Sequence, residues 1–68
     1  MLLKEAQVDP RIQRTRELLG QALMELLGEQ DLEKITVQDI TTCAKVNRST
    51  FYAHFTDKYA LLHHLIRE

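Results

Sequence analysis

Tryptophan is absent from this chain, cysteine and proline each occur once, glycine occurs twice, and the aromatics stop at two Tyr and two Phe in 68 residues. The single cysteine, Cys43, excludes an internal disulfide framework and a multi-cysteine zinc site. So few Gly and Pro argue against an all-β fold, which spends those residues on its many turns. No apolar run approaches the roughly 18 residues that a membrane span needs. The opening Met1-Leu2-Leu3-Lys4-Glu5 lacks the long apolar core of a secretion signal. Nothing resembles a nucleophile–base pair, a glycine-rich phosphate loop or a carboxylate dyad, so no enzyme and no cofactor is indicated. What is present is 44% hydrophobic and 28% charged residues, too apolar for disorder. The composition predicts one small, mostly helical, cytoplasmic domain, with a core small enough to be marginally stable.

The net charge of −1 conceals an uneven distribution. Residues 1–16 carry four basic and two acidic side chains, residues 17–33 carry five acids and no base, and residues 34–67 carry five bases, two acids and all three histidines. Two weakly basic segments therefore flank an acidic one. Such an excess suits either a solvated surface or a phosphate-facing one.

Residues 1–8 have no periodicity and read as a loose arm, giving an N-terminal segment 1–9 and a domain over 10–68. Asp9-Pro10 reads as a helix start, with Asp as cap and Pro at the first helical position. Leu19, Ala22, Leu23 and Leu26 then fall at i, i+3, i+4 and i+7, the stripe of an amphipathic helix that ends near Gly28–Gln30. Thr36-Val37-Gln38-Asp39 has the form of a capping box and opens a short helix with Val37, Ile40 and Ala44 on one face. Asn47 is positioned to cap a further short helix, with only Lys45 and Val46 before it. Thr56-Asp57 opens a last helix bearing Leu61, Leu62, Leu65 and Ile66. The helical pattern is still running at Arg67-Glu68 with no Gly, Asn or Pro behind it, which predicts a chain cut from something longer. The expected core is Leu19, Leu23, Leu26, Ile40, Val46, Phe51, Phe55 and Leu62, with Cys43 a small core or boundary residue and Tyr59 a packing residue.

Two short helices joined by a tight turn and packed on a longer one make a helix-turn-helix. In that motif the second short helix enters the DNA major groove and its first residues meet base edges. Such a helix must be short, start with outward polar side chains and bury one face. Asn47, Arg48, Ser49 and Thr50 supply donors and acceptors, Phe51 and Phe55 are spaced i, i+4 to hold the core, and Tyr52 and His54 fall near the outer side.

Residues 35–62, from Ile35-Thr36-Val37-Gln38-Asp39-Ile40 through Ala44-Lys45-Val46-Asn47-Arg48-Ser49-Thr50-Phe51-Tyr52-Ala53-His54-Phe55 to Lys58 and Leu62, resemble the N-terminal DNA-binding domain of TetR/AcrR-type transcriptional regulators. The resemblance extends over about residues 10–66, and the run Thr-Phe-Tyr-x-His-Phe-x-x-Lys at Thr50 to Lys58 is its specific part. It implies an all-α, homeodomain-like unit of three helices plus the start of a fourth. It also implies sequence-specific binding of double-stranded DNA, usually as a repressor, with a recognition helix at about 48–54. The candidate DNA-binding residues are Thr36, Gln38, Lys45, Asn47, Arg48, Ser49, Thr50, Tyr52, His54 and Lys58. By resemblance, Thr36, Tyr52, His54 and Lys58 would meet phosphates, Arg48, Ser49 and Thr50 would meet bases, and Gln38 stands where members often carry a DNA-contacting Arg. Many members have Gly where Asp31 and Lys45 stand, and both positions often need a left-handed backbone, which strains Lys45 by about 1 kcal/mol. The resemblance also implies a larger C-terminal domain, which binds inducer and forms the dimer and is expected to lie outside these 68 residues. A full-length homodimer, a palindromic operator and a cytoplasmic, nucleoid-associated location are implied.

Other residues admit blander readings. Arg11, Arg14 and Arg16 at the start of the first helix suit a solvated face or DNA. His63 and His64 point about 100° apart on one helix and His54 lies in another, so no metal site is indicated. The competing function is a small helical protein-interaction module without DNA affinity, which the sequence pI of about 6.3 favours. A metal-dependent hydrolase built on His63 and His64 is a remoter reading. Charge position separates these functions: Lys45, Arg48, His54 and Lys58 on one face with Thr36 and Tyr52 would indicate DNA, and acids intruding there would indicate interaction.

Overall fold

A computed structural model describes residues 10–66. Among them the chain forms helices α1 (Pro10–Leu27), α2 (Val37–Ala44), α3 (Arg48–His54) and α4 (Lys58–Ile66), with a 3₁₀ turn at Leu32–Lys34 between α1 and α2. The arm over residues 1–9, the Asp9 cap and the unfinished pattern at Arg67-Glu68 lie outside the described residues.

Helix α1 turns Leu19, Ala22 and Leu23 inward, and they meet Ile35, Ile40, Phe51, Phe55 and Leu61 in one buried cluster. Gly20 is also buried, because α4 comes close: a Cβ there would lie 2.8 Å from Leu65 Cδ2. A glycine normally weakens a helix interior by about 1 kcal/mol. Here it makes room for the α1–α4 contact. The end of α1 closes without a left-handed residue. Gly28 N–H donates to Glu25 O (3.1 Å), and Glu29 and Gln30 N–H both donate to Leu26 O (2.9 Å).

The Thr36-Asp39 capping box forms as its spacing predicts. Asp39 N–H donates to Thr36 Oγ1, Thr36 N–H donates to Asp39 Oδ2, and both distances are 3.0 Å. Ile35 precedes the cap and Ile40 is the fourth residue of the helix; both are 0% exposed within the same cluster, the arrangement of a hydrophobic staple. Thr41 is buried as well, and its hydroxyl donates to Gln38 O at 3.1 Å.

At the end of α2, Lys45 adopts φ 62°, ψ 44°, the left-handed conformation. Val46 N–H donates to Thr41 O (3.0 Å) and Lys45 N–H to Thr42 O (3.3 Å), the paired bonds of a Schellman turn. This is the strained position that the sequence implies for Lys45. Asp31 differs from expectation: at φ −72°, ψ 152° it is extended. A 3₁₀ turn leads into α2, so no left-handed step is required there.

Three expected core residues, Leu26, Val46 and Leu62, are half-buried, whereas Ala22, Ile35 and Leu61 are more deeply buried. On α4 the inward stripe is Lys58, Leu61 and Leu65, at i, i+3 and i+7, which moves Leu62 to the flank. Tyr59 is 50% exposed and outside the packing. Cys43 is exposed rather than in the core, and its thiol lies 3.6 Å from Glu25 Oε1. Desolvation by its neighbours first, then the Glu25 hydrogen bond and the charges of Glu25 and Glu29, push its pKa above the ordinary thiol value. The group is thus a protonated thiol at neutral pH, not an activated nucleophile.

Two stability measurements check this packing. Lys45→Gly removes the steric conflict at the Schellman position and is expected to stabilise the fold by about 0.5–1 kcal/mol, raising the melting temperature by several degrees in calorimetry. Ile35→Ala is expected to destabilise by about 2–5 kcal/mol in urea titration, a core-sized loss from a residue outside every helix.

Candidate nucleic-acid interface

Helix α3 has seven residues, too short to persist on its own. Phe51 and Phe55 hold it. Phe51 is 0% exposed and Phe55 9%, with ring centroids 5.9 Å apart. Fixing that face inward leaves Arg48, Ser49, Tyr52 and Ala53 exposed, two i, i+4 pairs on the outer side. Tyr52 stands edge-on to Phe51, with centroids 5.3 Å apart, so its hydroxyl is presented from a braced ring. Thr50 is half-buried and turned partly from this face.

Asn47 occupies the cap position of α3, extended at φ −77°, ψ 153°, but its side chain makes no capping bond, contrary to the sequence reading. The turn is already held by its backbone: Asn47 O accepts from both Thr50 and Phe51 N–H at 3.1 Å. The exposed Asn47 amide is therefore left outside the helix's own bonding.

Helix α2 contributes Thr36 and Gln38, both exposed. Thr36 Oγ1 accepts from the capping box, which leaves the hydroxyl hydrogen to donate outward. Gln38 Nε2 donates to Thr42 Oγ1 at 3.0 Å, bracing the side chain one turn along the same face. Lys45 is exposed in the turn between α2 and α3. The acidic residues of α1 approach α2 elsewhere: Glu25 meets Cys43, about 100° around the helix from Thr42. No acidic residue lies in the first turn of α3, and the carboxylate of Asp39 is occupied by the Thr36 N–H.

His54 is half-buried and joined to α1. Arg16 Nε donates to its Nδ1 at 3.3 Å, across 38 positions of sequence. With Nδ1 accepting, the neutral imidazole carries its proton on Nε2 and is a donor there. The sequence offers Arg16, with Arg11 and Arg14, for a solvated face or for DNA, and no local pattern marks a partner so distant. Ala53 was also missed, although its i, i+4 spacing from Ser49 places it on the outer face.

Lys58 departs furthest from the sequence reading as a phosphate contact. Its ammonium donates to Leu32 O and Ile35 O at 2.6 Å each and to Glu33 O at 3.3 Å. An ammonium has three donors, and all three are taken by carbonyls of the segment before α2. The half-buried side chain is turned inward because α4 begins beside the 3₁₀ turn, whose last carbonyls need partners.

A groove of about 680 Å³ between α1 and α4 includes Ile12, Met24 and Leu65, and none of the ten candidate DNA-binding residues lines it. Among the described residues no three His, Cys, Asp or Glu side chains converge, and no helix is long and apolar enough to cross a membrane.

Comparison with known proteins bears on the fold and the family. The family model described as bacterial regulatory proteins, tetR family, matches residues 15–65. A curated protein of Bacillus subtilis (strain 168), an uncharacterized HTH-type transcriptional regulator named YxbF, is 45% identical over 65 residues. The aligned part is 94% of this chain and 17% of that relative, so the chain spans under a fifth of the relative's length. No solved structure matches. The family match takes in α2, the turn at Lys45, α3 and nearly all of α4, and the chain accordingly belongs to the tetR family of bacterial regulatory proteins, as an N-terminal helix-turn-helix DNA-binding domain.

Proposed function

We propose that this domain binds double-stranded DNA sequence-specifically, with α3 in the major groove and α2 across the phosphate backbone, as the reading part of a transcriptional repressor. The observation that carries the reading is the outer face of α3. Arg48, Ser49, Tyr52 and Ala53 stand exposed on a short helix whose other face is locked by two buried phenylalanines. The absence of acids from that helix favours DNA over the protein-interaction alternative. Lys45 and Arg48 supply positive charge on either side of the α2–α3 turn.

The roles follow from chemistry and position. Arg48, in the first turn of α3, has the planar fork that can bond O6 and N7 of a guanine together. Ser49 can donate to or accept from a base edge, and the Ala53 methyl one turn on suits a thymine methyl. Asn47 and Thr50 flank these. Thr36, Gln38, Lys45, Tyr52 and the His54 Nε2–H would meet phosphates, which fix register without reading sequence. In the whole protein a homodimer would set two copies of α3 about 34–36 Å apart on a palindromic operator in the bacterial cytoplasm.

Arg48→Ala should relax preference at one base pair, worth about 1–3 kcal/mol of discrimination, when affinities are measured on a panel of single-base operator variants. Uniform weakening across the panel would make Arg48 a phosphate contact. The 68-residue chain alone should bind a half-site weakly, with an affinity that falls as salt rises and no cooperativity between half-sites in gel-shift titration. A salt-independent affinity would exclude phosphate contact and leave the interaction reading.

A further inference from the structure

We propose that Lys58 is a positioning residue for DNA contact, acting as an internal clamp that sets the phosphate-facing start of α2. The proposal rests on the DNA-binding reading above.

Its basis is the convergence of three carbonyls on one atom. Leu32 O, Glu33 O and Ile35 O all lie within 3.3 Å of the Lys58 ammonium, two of them at 2.6 Å, the short end of charge-assisted bonds. These acceptors come from the last turn of the 3₁₀ segment and the residue immediately before Thr36. Ile35 O has no helix of its own to enter, and Leu32 O already accepts from Ile35 N–H at 3.1 Å. The ammonium therefore gives Glu33 O and Ile35 O a donor and adds a second one to Leu32 O, tying the segment together at one point. Beside it, the Ile35 side chain is fully buried, and the next residue, Thr36, presents its hydroxyl on the exposed side while capping α2.

Lys58 is itself fixed by the start of α4. Asp57 Oδ1 accepts from Ala60 N–H at 2.9 Å, and Leu61, three residues on, is fully buried. The clamp thus joins two anchored elements, and Thr36 sits at the junction. A phosphate could recruit the ammonium only by stripping it from three carbonyls at a half-buried position. Its charge acts on DNA through Thr36 and not by contact.

A compact ammonium suits three acceptors converging on one point; a planar guanidinium spreads its donors over separate nitrogens. Arginine at this position would restore the charge without restoring the clamp. The test uses the intact protein and a fluorescein-labelled duplex selected by the wild type from a randomised pool, with anisotropy followed across a salt series. Circular dichroism verifies folding at the working temperature. Lys58→Met and Lys58→Arg are each expected to weaken binding by about tenfold with the salt slope of the wild type unchanged. Adding Thr36→Val to Lys58→Met should cause little further loss, because the two residues act through one contact. In the free wild-type protein, NMR should show through-hydrogen-bond couplings from the Lys58 Nζ to the Leu32 and Ile35 carbonyl carbons, a readout that needs neither a variant nor DNA.

Wild-type affinity in Lys58→Arg, or a salt slope lowered by about one in Lys58→Met, would make Lys58 a phosphate contact and overturn the proposal. Additive losses in the Thr36 double variant, or missing couplings, would overturn it equally. If the wild type selects no duplex from the pool, the DNA-binding reading itself fails, an outcome distinct from all of these.

Discussion

The burial of Phe51 is the constraint on which the rest of the domain depends. A seven-residue helix gains too little from its own hydrogen bonds to stay formed. Its persistence comes from tertiary contact, and Phe51 supplies the deepest part of it, packed among Leu19, Leu23, Ile40 and Leu61 from three other helices. That one anchor also sets the roll of α3 about its axis. Once Phe51 is inward, Phe55 must follow and the Arg48, Ser49, Tyr52 and Ala53 face must look out. The core and the candidate interface are in this sense one decision, made by the placement of an aromatic ring.

Around that anchor, polar groups fix what apolar packing leaves free. The capping box sets where α2 begins, the Schellman turn sets where it ends, and the Lys58 ammonium binds the segment that precedes it. The Arg16–His54 bond ties the far end of α3 to α1. The first three act at element boundaries, where backbone groups lack partners within their own helix. The domain has a small core and relies on such boundary bonds to fix geometry as well as to satisfy donors and acceptors.

The sequence made the helical architecture legible because its signals are local. Thr36 with Asp39, Asp57 before α4, the Leu19–Leu23 stripe and the Phe51/Phe55 pair each need only neighbours within one helical turn to be interpreted. What it did not disclose depends on contacts between distant segments. Ile35 lies in a connection and looks dispensable until the capping box beside it is recognised as half of a staple. Leu61 and Leu62 are indistinguishable by composition, and the direction of Lys58 decides between them. Asn47 has the right type for a cap, but its backbone carbonyl already holds the turn. For the candidate site, Arg48, Ser49 and Tyr52 emerged on the expected face. Lys58 turned inward because carbonyls from 25 positions away compete for it, and Arg16 entered through a bond that no spacing rule anticipates.

The brevity of the connections has a kinetic consequence. Lys45, Val46 and Asn47 are all that separate α2 from α3, and three residues separate α3 from α4. Loops of about ten residues close in roughly 10–100 ns. Helical domains dominated by local contacts assemble in microseconds to milliseconds. Reclosing on that timescale is fast enough to compete with the cleavage step of a protease. Under those conditions degradation follows the equilibrium population of the open form and not the rate of opening. The lifetime of this domain in a cell is therefore governed by its stability, so each fraction of a kilocalorie at Ile35, Lys45 or Lys58 is also a change in abundance.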